Sequence, residues 1–185
     1  MIKKVLIYFL LFIMFFASGY KKPYKYTIDA GKDAYWHNNV GLNHLKDRIY
    51  YAAIQEFKIA ISLSPSTQAS AIFYNNLGET YNFIGYPDKA IDCFNDAIKL
   101  YGLNFKYYLN LVETYERLNL IDTKINELTS SNDIFDRIKL GLLHIQRKEF
   151  RIGINILDEV CYKEPNLLIT PAIKQYIDKI AKENL

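Results

Sequence analysis

The sequence predicts an all-α fold of about four antiparallel helix pairs stacked side by side, with one more helix closing the C-terminal end. Three observations lead there. The same order of small, aromatic and aliphatic residues returns at intervals of 37, 34 and 29 residues. The last stretch carries a single apolar stripe on an otherwise charged helix. Half of the 185 residues are hydrophobic while Gly and Pro number only 8 and 5, a composition that suits packed helices and neither a disordered nor a collagenous chain.

Residues 1–19 read as a signal peptide or membrane anchor. Lys3 and Lys4 precede an unbroken apolar run from Val5 to Ala17, and Ala17-Ser18-Gly19 offers small residues for cleavage before Tyr20. The rival reading is a retained anchor over residues 5–20, although a full span needs roughly 20 apolar residues. Lys21, Lys22 and Lys25 balance the lysines on the other side, so charge leaves the orientation open. No cysteine stands directly after the run, which argues against lipid attachment of the bacterial lipoprotein type. Either reading expects an exported protein, periplasmic or membrane-associated in a bacterial envelope. Residues 20–32 are polar, contain Pro23 and Gly31, and read as a linker. The formal net charge is +3, and removing Lys3 and Lys4 leaves no basic field for nucleic acid.

The repeating region is expected over residues 33–185, with units near 34–67, 71–104, 105–131 and 134–166 and a cap at 170–183. The second unit is the clearest, with Tyr74, Leu77-Gly78, Tyr81, Ala90, Phe94 and Ala97, and with Gly85 and Pro87 at its break. The first supplies Val40-Gly41, Ala53, Phe57, Ala60 and Pro65. The fourth supplies Leu140-Gly141, Phe150, Gly153-Ile154, Leu157, Val160 and Pro165. The third keeps Tyr108, Leu111 and Tyr115 but has Val112 and Lys124 where small residues belong. Its contracted spacing predicts a short second helix or a tight following loop, and the least rigid unit of the stack. Thr170-Pro171 opens the capping helix, whose stripe is Ile173, Tyr176, Ile177 and Ile180.

This pattern resembles the tetratricopeptide-repeat family, whose unit of about 34 residues carries an aromatic, Leu-Gly, Tyr, Ala, Phe, Ala and Pro. The resemblance covers roughly residues 32–185. It implies a right-handed α-α superhelix in which paired helices approach where side chains are small: Gly41 with Ala53, Gly78 with Ala90, and Gly141 with Gly153. Phe57, Phe94 and Tyr81 would fill the space beside them. No unit buries its apolar face alone, so stability would come from stacking.

The resemblance also implies a concave groove, lined by the first helix of each pair, that holds a short peptide or helix. Carried over residue by residue, the groove positions are Tyr35, Asn38, Leu42 and Leu45, then Ile72, Asn75, Asn76, Glu79 and Asn82. The third unit adds Lys106, Leu109, Glu113 and Glu116, and the fourth Phe135, Ile138, Leu142 and Ile145. Asn75 and Asn76 are placed to grip a peptide backbone, because an amide both donates and accepts. Some members clamp the C-terminal carboxylate of chaperones. Asn76 and Lys106 match that clamp, but Asn38, Leu42 and Asn110 stand where lysine, asparagine and a basic residue would be needed. The clamp is therefore not expected. Apolar ends with Glu79, Glu113 and Glu116 between them point to an amphipathic or mildly basic segment as ligand.

No catalytic, cofactor or metal site emerges. His37, His44 and His144 lack an HExxH spacing or a flanking carboxylate and read as packing residues. Cys93 and Cys161 should stand about 20 Å apart, beyond the reach of a disulfide. Neither a phosphate-binding glycine loop nor a Ser-His-Asp arrangement is apparent. The function expected is a non-catalytic protein-interaction scaffold outside the cytosol. The alternatives are an envelope hydrolase with no visible motif, or a structural spacer in a membrane-associated complex.

Overall fold

A computed structural model describes residues 32–184, and all regular structure there is helical. The expected leader and all of the linker except Lys32 lie outside the described residues. No described helix is long and apolar enough to cross a membrane. The elements are α1 (Ala34–Lys46), α2 (Tyr50–Leu63), α3 (Gln68–Phe83), α4 (Pro87–Leu100), α5 (Phe105–Arg117), α6 (Ile121–Leu128), α7 (Ile134–Gln146), α8 (Phe150–Lys163) and α9 (Thr170–Asn184). They alternate first helix and second helix through four units, and α9 follows as the terminal helix. The array is the expected all-α superhelix.

Each first helix begins at a residue whose side chain bonds the orphan N–H groups of the opening turn. Asp33 accepts from Trp36 N at 2.8 Å, and Asn104 accepts from Lys106 N at 3.1 Å. Asp133 accepts from Phe135 N and Asp136 N, while Thr67 and Ser70 form a reciprocal capping box. The second helices lack such caps, because the turn before each one does that work. All four turns place one residue in the left-handed region: Arg48 (φ 60°), Gly85 (81°), Asn119 (55°) and Lys148 (65°). The next N–H then reaches back to the last turn of the first helix: Ile49 to His44 O, Tyr86 to Tyr81 O, Leu120 to Tyr115 O and Glu149 to His144 O, at 2.8–2.9 Å. This Schellman geometry satisfies carbonyls that a helix end would otherwise strand. Pro87 opens α4 at a position where its missing N–H costs nothing, and Asp88 sits in the same first turn.

The glycines mark the helix crossings. A Cβ on Gly41 would meet the Phe57 ring at 2.6 Å, and one on Gly78 would meet the Phe94 ring at 2.7 Å. In the fourth unit a Cβ on Gly141 would meet Leu157 at 2.7 Å, and one on Gly153 would meet Gly141 O at 2.6 Å. In the first two units the glycine makes room for an aromatic ring of the partner helix, and only in the fourth do two glycines face each other. Ala53 and Ala90 are fully buried in the same core, while Ala60 and Ala97 are fully buried against Phe73 and Tyr107 of the next unit.

The third unit is not a closed pair. α6 has 8 residues against 14 in α2, α4 and α8, and Ile125 is its one buried residue. It touches α5 over far less length than the other second helices touch their partners, and it packs more on α7. Val112 occupies the glycine position, and Lys124, in the alanine position, lies 5.6 Å above the Tyr115 ring and pairs with Glu127 at 2.6 Å. With α6 short, α7 packs directly on α5, so these two first helices meet much more closely than α1 meets α3. At the end, α9 packs on α8 through Ile173 and Ile177 in the main core. It also reaches back to α5, where the Tyr176 and Phe105 rings meet edge to face at 5.4 Å.

Candidate partner-binding groove

The inner faces of α1, α3 and α5 are joined by a ladder of side-chain amides. Asn76 Nδ2 donates to Asn38 Oδ1 at 2.8 Å, and one step along Asn110 Nδ2 donates to Asn75 Oδ1 at 2.8 Å. The two bonds connect equivalent repeat positions, since Asn75 follows Asn38 by 37 residues and Asn110 follows Asn76 by 34. Around them, Glu79 Oε1 accepts from Asn75 Nδ2 at 3.0 Å and Asn110 Nδ2 at 2.9 Å, and lies 2.5 Å from Lys106 Nζ. Asn82 Nδ2 donates to Thr114 Oγ1 at 2.8 Å. Between α5 and α7 the ladder gives way to apolar packing, with a Gln146-to-Glu116 bond at the edge.

Two clefts lie along this face. One, of about 410 Å³, runs between Leu42, Leu45 and Tyr50 on one side and Glu79 and Phe83 on the other. The next, of about 370 Å³, lies between Asn82 and Phe83 of α3 and Asn110, Glu113 and Arg117 of α5. They share Glu79 and Phe83. Phe83 is 66% exposed and stacks on Tyr50 at 6.0 Å, which forms an apolar ridge between the two. An exposed aromatic held in place this way costs a partner little ordering entropy on contact.

The residues expected on the groove divide accordingly. Leu42, Asn82, Glu79 and Glu113 line the clefts, and Lys106 and Leu109 line a pocket farther along. Tyr35, Ile72 and Glu116 are exposed, and Leu45 and Phe135 are half-buried. Asn38 is corrected as a groove position, and Asn75 and Asn76 as a peptide grip: all three are buried, and their amide bonds hold helix to helix. Leu142, Ile138 and Ile145 are also corrected, because they are buried in the core where α7 closes on α5. The carboxylates are not a bare acidic strip either, since Glu79 pairs with Lys106 and Glu113 shares its cleft with Arg117. Phe83, Tyr50, Asn110 and Thr114 were missed. The repeat spacing could have disclosed Asn110, whereas nothing local marks Phe83.

Two of the three histidines, His37 and His144, do have carboxylate partners. His37 Nδ1 lies 2.7 Å from Glu56 Oε2, both groups buried, which ties α1 to α2. His144 Nδ1 lies 2.6 Å from Glu149 Oε2, and the same carboxylate accepts from Arg147. Those bonds hold the Glu149 carboxyl below its usual range. The first pair bridges 19 residues of sequence, which is why spacing did not reveal it. Both cysteines are free and buried. Burial, with Asp96 and Asp92 beside it, pushes the Cys93 thiol up to about 12, so it stays protonated at neutral pH. A nucleophilic thiol needs the opposite environment.

The tetratricopeptide-repeat family profile matches residues 71–102, which span most of α3 and all of α4. Residues 71–102 thus match a tetratricopeptide repeat, and the described residues share the fold of solved tetratricopeptide-repeat structures. Tetratricopeptide repeat protein 21 homolog of Caenorhabditis elegans is 23% identical over 140 residues, covering 74% of this chain and 10% of that one. The chain thus spans about a tenth of the length of that relative. Among solved structures, YrrB, described as a TPR protein with an unusual peptide-binding site, superposes with a TM-score of 0.50 at 18% identity, over 83% of this chain and 84% of that one. PilF of Pseudomonas aeruginosa gives 0.50 at 12% identity, over 80% and 68%. A tetratricopeptide repeat protein of Parabacteroides merdae gives 0.50 at 14%, over 81% and 60%. These likenesses concern the fold.

Proposed function

We propose that the chain is a non-catalytic interaction scaffold that holds an amphipathic segment of a partner protein along the face of α1, α3 and α5, outside the cytosol. The observation that carries this reading is the pair of adjoining clefts with Phe83 as their shared ridge. The amide ladder beneath them fixes the three helices, so the surface is formed before a partner arrives. YrrB, of similar fold, is described as having a peptide-binding site, which supports a peptide as the class of ligand. The apolar leader supports export. Because the charges along the clefts are of mixed sign, the ligand is read as amphipathic rather than basic.

Selection of a phage-displayed 12-residue peptide library on the full-length chain tests this. Selected peptides should bind at least about tenfold more weakly to Phe83→Asp and equally well to Tyr162→Asp, which alters an exposed residue of α8 (86%). Failure to select any peptide, or equal losses in both variants, overturns the reading.

A further inference from the structure

The geometry points to a second, chemically distinct pocket on this scaffold, built by α5 and α9, for a partner segment that presents a bulky apolar anchor flanked by acidic residues. The inference rests on the scaffold reading and specifies what the C-terminal end of its inner surface recognises. The pocket measures about 790 Å³, within the roughly 300–1,000 Å³ typical of ligand sites. Its apolar lining includes Leu103, Phe105 and Leu109 from the α5 side and Leu168, Ala172 and Tyr176 from the α9 side. The edge-to-face contact of Phe105 with Tyr176 ties the two walls together. Leu168 is 73% exposed, an aliphatic side chain left in water at the opening.

Charge decides the occupant. Lys106 and Lys179 both line the pocket, and among the described residues no carboxylate does. Lys179 is exposed and makes no ion pair among the described residues, while Lys106 remains 59% exposed despite its pair with Glu79. Gln175 adds a neutral polar group. A basic segment would bring its cations against the Lys179 ammonium, while Lys106 already meets the Glu79 carboxylate. An acidic one would be attracted on approach and held beside Lys179. An aromatic side chain would fill the apolar interior, the type of anchor enriched among interface hot spots. The clefts between α1, α3 and α5 differ in containing both signs of charge. The pocket exists because α6 is short: α7 closes on α5, and α9 then comes back over the start of α5.

Fluorescence anisotropy of three labelled peptides on the full-length chain tests this. The peptides are EEFLEE, its basic twin KKFLKK and the anchorless EEAAEE. EEFLEE should bind at least about tenfold more tightly than either of the others. Lys179→Glu should weaken it about fivefold, and Ala172→Trp, which fills the pocket from an exposed position, more than about tenfold. Both changes are on the surface, and unaltered melting by circular dichroism will verify that the fold is intact. Phe83→Asp, in the other clefts, should leave EEFLEE binding within about twofold. Tighter binding of KKFLKK, or no loss with Ala172→Trp, overturns the pocket assignment. So does loss with Phe83→Asp but not with Ala172→Trp, and that result leaves the scaffold reading standing. Absence of EEFLEE binding likewise overturns the pocket, while the library selection judges the scaffold separately.

Discussion

The α3/α4 pair and the α5/α6 unit begin from the same turn and end differently. Gly85 and Asn119 occupy the same left-handed position, and Tyr86 and Leu120 make the same backbone bond to Tyr81 and Tyr115. In α3/α4, Gly78 lies under the Phe94 ring and a second helix of 14 residues runs its full length along the first. In α5/α6, Val112 and Lys124 replace the small residues, and the second helix stops after 8 residues. Turn geometry therefore reverses the chain but does not close the pair. Closure needs room at the crossing and enough helix to use it. The consequence reaches farther than one unit, because α7 fills the space by packing on α5 and α9 is carried back over α5.

Gly78→Val should give the largest effect, since it imports the third unit's residue into the regular pair. The new Cβ would lie 2.7 Å from a carbon of the fully buried Phe94 ring. Overpacking of this kind costs about 1–3 kcal/mol, and the upper end is expected here after a few tenths gained in helix propensity. Urea unfolding followed by circular dichroism will measure it. An unchanged midpoint would mean that the crossing does not control pair closure.

Asn110→Ala should come next. It removes two donors at once: Asn75 Oδ1 loses its bond from α5, and Glu79 Oε1 keeps only Lys106 from that helix. Because Asn75 is buried, water replaces the lost partner poorly, and a loss of about 1–2 kcal/mol follows. For a domain of this size that is a fall in Tm of about 3–6 °C. A Tm within about 1 °C of the parent would show that the ladder is solvated, and that apolar contact dominates between α3 and α5, as it does between α5 and α7.

Much of this contrast was legible in the sequence. The glycine positions, the prolines at helix ends, the contracted third spacing and the terminal stripe on α9 all follow from local rules, because each depends on residues within one or two turns of one another. The candidate groove was less legible. The repeat pattern says which helix faces inward but not which inward residues are consumed by the neighbouring helix. Asn38, Asn75 and Asn76 were therefore taken for ligand contacts when they bond across 35 to 38 residues of sequence. Leu142 was misplaced for a different reason. Its burial follows from the shortness of α6, a change of stacking geometry that acts on α7 from outside α7's own sequence. The His37–Glu56 pair was hidden in the same way.

Lys124→Ala should have the smallest effect and isolates which departure in the third unit matters. The change restores the small residue that the regular pairs carry, and removes a half-exposed pair with Glu127 together with a 5.6 Å contact over Tyr115. Exposed pairs of this type contribute about 0–1 kcal/mol, and the gain in helix propensity offsets part of that, so stability should move by no more than about 0.5 kcal/mol. Room at one side of a crossing is not sufficient while Val112 still fills the other and α6 still ends after two turns. Hydrogen exchange read by mass spectrometry should thus find α6 the least protected of the helices α1–α8 in both the parent and the variant, since Ile125 is its one buried residue. If the variant instead brought α6 to the protection of α4, the lysine alone would have held the pair open, and the length of the helix would drop out of the account. Slowest exchange over residues 120–130 in the parent would reverse the comparison itself.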